Sequence, residues 1–298
     1  SCARLKEEAV VLLVQDTTEL DVTAHPPEGS GPLNCHSRRG YYEHVHVALT
    51  PQGLPLGTIG GCTVIRSDAT LGTGKERQYD PISTKETVRW LDGYCRACTI
   101  AQQAPRTRII SVADAEADLY EIFLEHSRRS SRDQVAADYV VRAGKIRSLP
   151  EKDPQGSPDT YLKLQSQIQE APVLGHRQID LPRTPKRAAR SATLEIRAQT
   201  ILVKAPHRKG KQLPDLELHV VLAREIDAPE DDEPVVWLLI TSLPIETLEQ
   251  VLEVLDFYVG RWPIEIFFRV LKTGCQVEEI QLETMERLVP AVAMYKIL

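Results

Sequence analysis

AVVLLVQD, residues 9–16, is a continuous apolar run that ends in an acid. Six consecutive apolar residues that lead into Asp16 are typical of a buried strand with its carboxyl end at a site. A second run of the same design, TRIISVAD at 107–114, ends in Asp114. Because ligands in α/β folds bind at the carboxyl ends of strands, two such strands side by side would bring both carboxylates within reach of one hard cation, such as Mg²⁺. Either aspartate alone could equally be a turn or capping residue, so the hypothesis depends on the pair.

The residues around these two runs predict an α/β body. HVHVALT (44–50) and GCTVIR (61–66) alternate like antiparallel strands. Segments 83–103 and 115–129, on either side of the second run, have helical character. We therefore expect strands and helices to alternate around the two aspartates.

The middle of the chain has a different character. From about residue 136 to 243 the sequence is rich in β-type runs such as LELHVVLAREI and PVVWLLITSL, joined by long linkers. Between Arg142 and Lys211 there are fifteen Lys or Arg against six Asp or Glu. This excess of positive charge fits a surface for a polyanion, and it equally fits two solvated basic loops. The residues alone leave both interpretations open.

A candidate third acid lies in FYVGRWPIEIFFRVLKTG, residues 257–274. On an α-helix, the seven-residue step from Glu265 to Lys272 advances about 700°, so the two side chains would share a face. Tyr258 and Arg261 precede Pro263 in the chain, and helix geometry alone does not orient them. A solvated helix would also carry such charges, but this one is so apolar that it has little exposed face to spare.

Composition sets the broad class of protein. The chain has 298 residues, 42% hydrophobic and 26% charged, with a net charge of −6, as expected for a soluble globular protein. Its early aliphatic run, AVVLLV, is too short to cross a bilayer, so we expect a cytoplasmic protein. The C-x-x-C of Cys95 and Cys98 has no second pair for a zinc ribbon. His44 and His46 have no evident third metal ligand, and we expect them to face solvent or DNA.

Three stretches together resemble one protein family. QDTTELD, SVADAEADLYE and the pattern Y-x2-R-x3-E-x6-K resemble the cut-and-paste DDE transposases of bacterial insertion sequences, specifically the IS-four group with its Tyr-Arg-Glu-Lys signature. The resemblance covers the chain from about Val10 to Leu298. It implies an α/β fold, with a ribonuclease-H-like mixed sheet flanked by helices and interrupted by a large β-rich insertion. The predicted division is a first part of the catalytic core at 1–130, the insertion at 131–243 and a helical completion of the core at 244–298.

The resemblance also implies roles for individual residues. Asp16, Asp114 and Glu265 would be the catalytic carboxylates that hold two Mg²⁺ ions, for which we expect Mn²⁺ to substitute. Asp118 would be a capping or supporting residue, and the alternative ligand if Asp114 is misassigned. The implied DNA contacts are phosphate contacts and one flipped-base contact: phosphates at Tyr258, Arg261, Lys272, Arg142, Lys145 and Arg147, and the base at Trp237.

The implied function is metal-dependent DNA cleavage at transposon ends, followed by hairpin formation and strand transfer. The implied partners are double-stranded DNA, as end repeats and target, and a second copy of the chain in a synaptic homodimer, within a bacterial cytoplasm. Against the family's full pattern, we expect the N-terminal end-recognition region to be absent and the C-terminal synapsis region to be absent or truncated. The alternatives are a ribonuclease-H-like nuclease or resolvase that does not join DNA, and an inactive DNA-binding remnant.

Overall fold

The first apolar run forms a central strand in the computed structural model, which describes residues 2–72, 76–77, 79–156, 160–181, 183 and 188–296. The strands are β1 Val10–Asp21, β2 Gly31–Pro32, β3 Arg39–Leu49, β4 Pro55–Val64, β5 Arg108–Ala113, β6 Asp138–Arg142, β7 Ser148–Lys152, β8 Tyr161–Lys163, β9 Val173–Leu181, β10 Arg190–Val203, β11 Leu216–Ile226 and β12 Val236–Thr241. Within the described residues, ten of them share one mixed sheet, in the order β2-β3-β1-β5-β6-β12-β11-β10-β9 with β4 paired to β3. β7 and β8 pair separately.

Helices cover both faces of this sheet. They are α1 Cys2–Leu5, α2 Val88–Gln103, α3 Tyr120–Ser130, α4 Leu164–Gln169, α5 Leu248–Val259, α6 Pro263–Arg269 and α7 Met285–Tyr295. Alternate residues of β1 point to opposite faces, so Leu13 packs in the core under α2 and α3, while Leu12 and Val14 pack in the core under α5 and α6. The chain is thus a mixed α/β structure with a large sheet between two layers of helices.

β1 is longer than predicted, and Asp16 is not its last residue. The strand continues to Asp21, because residues 17–21 keep pairing with residues 40–44 of the antiparallel neighbour β3. The parallel partner β5 pairs only with residues 10–14. Asp16 therefore lies just beyond the end of the parallel pairing, although it is in the middle of a strand.

Two predicted helices begin later than expected. The segment predicted at 83–103 has a short 3₁₀ turn at Ile82–Thr84, and α2 itself starts at Val88. The segment predicted at 115–129 opens with a 3₁₀ turn at Ala115–Ala117. Leu119 then has an extended backbone, so α3 starts only at Tyr120.

The strands of the predicted insertion continue the main sheet. β6, inside the segment 131–243, pairs in parallel with β5, and β12 pairs with β6 on its other side. β9 to β12 extend the sheet outward from there instead of forming a sheet of their own. The functional division of the chain stays a prediction, but within the described residues only the short pair β7 and β8 of this block lies outside the main sheet. Lys186 and Arg187 of its basic linker lie outside the described residues.

The C-terminal helices carry the Tyr-Arg-Glu-Lys residues. A capping box of Thr247 and Gln250 starts α5, and Pro263 occupies the first turn of α6 as predicted. After Arg269 the backbone becomes a π-helix at Val270–Gly274. A π-helix has more residues per turn than an α-helix. The rotation of 100° per residue that places Glu265 and Lys272 on one face therefore does not apply from Val270 onward. Among the described helices, none is both long and apolar enough to cross a membrane.

Candidate active site

The two predicted aspartates lie side by side on the sheet. Val14 pairs with Val112 across the parallel strands, so two residues further along the same register sets Asp16 beside Asp114 on the same face. Neighbouring strands are about 4.8 Å apart. Ala113 pairs with Val141, so one step further brings Arg142 next to Asp114. The sheet therefore presents an Asp-Asp-Arg row under α5 and α6.

Arg261 links this row to the third predicted acid. Its Nη1 donates to an Asp16 carboxylate oxygen at 2.5 Å, and its Nη2 donates to Glu265 at 3.2 Å. Arg261 and Asp16 are nearly buried, whereas Glu265 is 44% exposed. The bend between α5 and α6 thus brings the guanidinium of Arg261 to the sheet, where it pairs with the carboxylates of both Asp16 and Glu265.

The surroundings of Asp16 disfavour its charged form. Burial, and then the nearby Asp114, raise the pKa of Asp16 from 3.8 to about 7, while Arg261 and the backbone N–H of Thr17 act in the opposite direction. Burial works against the charge of Arg261, but Asp16, Tyr258 and Glu265 raise its pKa above the ordinary value. The site thus has more negative charge than one arginine balances.

This charge imbalance bears on the predicted metal. Within the described residues, no three His, Cys, Asp or Glu side chains are grouped as a ready metal site, since Arg261 lies between Asp16 and Glu265. Asp114 is half-buried and accepts a hydrogen bond from the backbone N–H of Glu116 at 2.9 Å. Asp16 and Asp114 are adjacent hard oxygen donors, the type that Mg²⁺ prefers, and their mutual repulsion is what a cation would relieve. Both oxygens of Asp16 accept hydrogen bonds, one from the Thr17 backbone N–H and one from Arg261, so the donor types fit Mg²⁺ but an ion would have to replace Arg261 at Asp16.

Tyr258 connects the carboxylates to the predicted base-binding tryptophan. Its ring meets that of Trp237 edge to face, with centroids 5.9 Å apart. Burial raises the pKa of Tyr258, and the charge of Arg142 and a hydrogen bond from it lower that pKa. Trp237 is half-buried on β12, and Arg142 is exposed. Tyr258, Trp237 and Arg142 therefore form one cluster beside Asp114.

Lys272 lies elsewhere. Its ammonium is 3.9 Å from Glu278, and Glu278 accepts the backbone N–H of Asp21 at 2.8 Å. Asp21 is five residues beyond Asp16, roughly 17 Å along an extended strand. The structure brings together the Tyr, Arg and Glu of the Tyr-Arg-Glu-Lys pattern, while the Lys faces the far end of β1.

Arg147 is committed inside the protein. Its guanidinium pairs with Asp118, is 7% exposed, and stacks over Phe123 with 5.1 Å from Cζ to the ring centroid. Asp118 is fully buried and also accepts the backbone N–H groups of Gly144 and Lys145 at 2.9 and 2.8 Å. In this arrangement Arg147 cannot contact a phosphate and Asp118 has no oxygen free for a metal. Both the DNA role of Arg147 and the fallback role of Asp118 are therefore corrected.

The histidines are also not where the sequence predicted. His44 and His46 are buried, not facing solvent or DNA. His44 contacts Thr17 at 2.8 Å and Gln15 at 3.3 Å, which places it directly behind the Asp16 segment. Burial and the neighbouring His46 lower the pKa of His44 to about 2. The two imidazoles are therefore neutral and packed inside the protein. Gln15 and Thr17, the polar residues that His44 contacts, lie far from it in the sequence.

An ion pair that no sequence pattern indicates lies at the edge of the site. Arg89, at the start of α2, pairs with Glu116 at 3.2 Å and donates to the Thr17 hydroxyl at 3.2 Å. It thereby ties the residue after Asp16 to the turn after Asp114. No local pattern marks Arg89, because its partners come from two distant segments.

No protein-family model matches the chain. Among solved structures, the chain is similar to the piggyBac transposase in the cryo-EM structure of its synaptic complex with hairpin DNA, with a TM-score of 0.39 and 9% sequence identity. The match covers 97% of this chain and 45% of that one, so this chain spans less than half the length of the transposase chain. A similarity of this size leaves the function to be argued from the residues of this chain.

Proposed function

We propose that the chain is the catalytic part of a cut-and-paste DNA transposase of the IS-four group, which cleaves DNA at transposon ends and joins it to a target. The observation that carries this proposal is that Asp16 and Asp114 are neighbours just beyond the last paired residues of β1 and β5, with Glu265 joined to Asp16 through Arg261. Strands β4, β3, β1, β5 and β6 would be the mixed sheet of a ribonuclease-H-like core.

The carboxylates would act as the metal-binding part. Asp16 and Asp114 would hold Mg²⁺, and Glu265 would join them when Arg261 turns away toward a DNA phosphate. Bound Mg²⁺ supplies activation of a nucleophilic oxygen and stabilisation of the leaving oxygen. Until DNA arrives, Arg261 keeps two crowded carboxylates partly neutralised.

The neighbouring cluster would position DNA. Arg142 is exposed and could pair with a phosphate next to the carboxylates. Trp237 and Tyr258 offer aromatic surface at the same point, and stacking of an unpaired base on such a surface contributes about 1–3 kcal/mol. This fits the hairpin step, in which a freed 3′-hydroxyl attacks the opposite strand while a base is displaced. Lys272 would serve DNA only at some distance from the scissile bond.

The test is a cleavage and strand-transfer assay on DNA that carries the inverted repeats flanking the gene, with Mg²⁺ and a target plasmid. We expect Asp16→Asn, Asp114→Asn and Glu265→Gln each to abolish cleavage. Glu253→Gln is the matched control, because Glu253 is an exposed glutamate one helix earlier and its amide variant should retain full activity. Full activity of Glu265→Gln would contradict the site assignment.

The products separate the transposase from its alternative. Cleavage without joined products would identify a nuclease or resolvase. Hairpin intermediates that form equally well with Trp237→Ala would remove that tryptophan from the reaction. End-bound dimers, detected by native mass measurement of the protein with end DNA, would support the proposed synaptic homodimer.

A further inference from the structure

A second basic feature lies on the opposite side of the sheet. A cleft of about 620 Å³ opens between the turn before α2, the start of α3 and the loops at 145–148 and 204–208. Its floor residues Leu119 and Tyr120 belong to the core under α2 and α3, whereas the core next to Asp16 and Asp114 is the one under α5 and α6. The cleft is therefore separate from the candidate active site.

The charges that line this cleft have one sign. Its described lining has five Lys or Arg and one His but no Asp or Glu: Lys85, Lys145, Arg147, Lys204, Arg208 and His207. Arg147 and Arg208 are held by the acids beneath, Asp118 and Glu121. Lys145 and Lys204 add further positive charge to the described lining. Burial and then the neighbouring Arg208 lower the pKa of Lys85, while the charges of Glu121 and Asp80 act in the opposite direction.

The cleft also has aromatic and apolar surface. Lys204 Nζ is 3.4 Å from the ring centroid of Tyr161, and Lys152 Nζ is 4.4 Å from it. Ile146 is 78% exposed at the rim. A groove that combines clustered ammonium groups with an aromatic ring is suited to a sugar–phosphate backbone with a base beside it, and it is too cationic for an apolar ligand.

We infer that this cleft binds the phosphodiester backbone of a second nucleic-acid segment, on the face of the sheet opposite the carboxylates. Lys145 and Lys204 would contact phosphates directly, from two neighbouring loops that are joined by a hydrogen bond from the Lys204 N–H to the Ser148 carbonyl at 2.8 Å. The inference deepens the proposed function and rests on it only in that both sites take DNA. A chain with a DNA surface on each face of one sheet could hold two segments at once.

The experiment measures binding of a short fluorescein-labelled DNA duplex of arbitrary sequence by fluorescence anisotropy over a series of salt concentrations. In Lys145→Glu/Lys204→Glu we expect the affinity to fall about tenfold or more, and the slope of log K against log salt to decrease by about 2. The control is Lys6→Glu/Arg106→Glu, which makes the same change in net charge at exposed residues near the other ends of the strands. The control should stay within about twofold of the wild type.

Further arms make the result decisive. Lys145→Gln/Lys204→Gln should also weaken binding, and its melting curve shows whether the fold is kept. Equal losses in the cleft and control variants would overturn the inference, as would displacement of the duplex by inorganic phosphate at matched ionic strength, which would indicate a site for a small anion. Asp16→Asn should keep the cleft-dependent binding. Cleavage retained by Asp16→Asn would contradict the proposed function, whereas duplex binding unchanged in Lys145→Glu/Lys204→Glu would contradict the inference, so the two failures are told apart.

Discussion

At the scale of the residue, Asp16 makes stability depend on pH. Its pKa is 3.8 without the folded surroundings and about 7 within them, so the folded state holds the proton more tightly. Ionisation therefore lowers the free energy of unfolding as pH rises from about 4 to 7. A shift of this size corresponds to at most about 4 kcal/mol. The asparagine variant, which has no proton to lose, should gain stability relative to the wild type over this range.

Urea unfolding of Asp16→Asn and the wild type at several pH values between 5 and 8, with EDTA present, measures this difference. We expect the stability of the variant minus that of the wild type to grow with pH and to level off above pH 7. A difference that stays constant across the range would show that Asp16 ionises normally.

Bound Mg²⁺ should offset the repulsion between the carboxylates of Asp16 and Asp114. A ligand at ten times its Kd stabilises the folded state by about 1.4 kcal/mol, which corresponds to a rise in Tm of about 2–4 °C for a chain of this size. We expect this rise in the wild type and in Glu253→Gln, and its loss in Asp16→Asn and Asp114→Asn. Differential scanning fluorimetry with Mg²⁺, against NaCl of equal ionic strength, measures it. An unchanged rise in both aspartate variants would exclude them as ligands.

At the scale of the element, Asp118 fixes the loop between β6 and β7. Its buried carboxylate holds two backbone N–H groups and the guanidinium of Arg147. Removing one partner of a buried ion pair costs about 3–5 kcal/mol, so Asp118→Ala should destabilise the protein by that amount in urea unfolding. Glu125→Ala breaks the ion pair to Arg129, 2.8 Å long and partly exposed on α3, and should cost about 0.5 kcal/mol or less.

The Mg²⁺ response of the milder variant Asp118→Asn separates a supporting role from a metal ligand. We expect its Tm to rise with Mg²⁺ as in the wild type. Loss of that rise, without loss of Mg²⁺ response in Asp114→Asn, would restore Asp118 as the ligand.

The elements also show which features a sequence can predict. The runs that lead into Asp16 and Asp114 are local patterns of burial followed by a charge, and β5 ends where its pattern ends. The length of β1 depends on pairing with β3, which begins 18 residues after β1 ends in the chain. Likewise, the burial of His44 depends on Gln15 and Thr17, which its own strand does not reveal. Non-local pairing accounts for both of these differences.

The π-helix explains why Lys272 lies apart from the other three residues of the Tyr-Arg-Glu-Lys pattern. Projection of an ideal helix assumes 100° per residue, and the backbone departs from this at Val270–Gly274. The spacing from Tyr258 to Glu265 holds because α5 and α6 both pack on the sheet face that carries Asp16. The position of Lys272 depends instead on packing of the π segment against β1, Val277 and α7.

At the scale of the whole molecule, the continuous sheet predicts that the block 131–243 unfolds together with the rest. β6 is hydrogen-bonded to β5 on one side and to β12 on the other. Separating the block would break the pairing of β5 with β6 and leave an unpaired edge on each of these two strands. Two tryptophans report on the two regions. Trp90 is fully buried under the first part of the sheet, and Trp237 lies on β12.

Two single-tryptophan proteins test this, one that keeps Trp90 and one that keeps Trp237, with the other tryptophans replaced by Phe. Fluorescence during urea unfolding should give the same midpoint as circular dichroism for each protein, because a two-state transition looks alike to every probe. A Trp237 midpoint clearly below the circular dichroism midpoint of the same protein would show that the block unfolds by itself. In that case the excised segment 131–243 should give a dispersed NMR spectrum, whereas a cooperative sheet requires it to remain unfolded without β5.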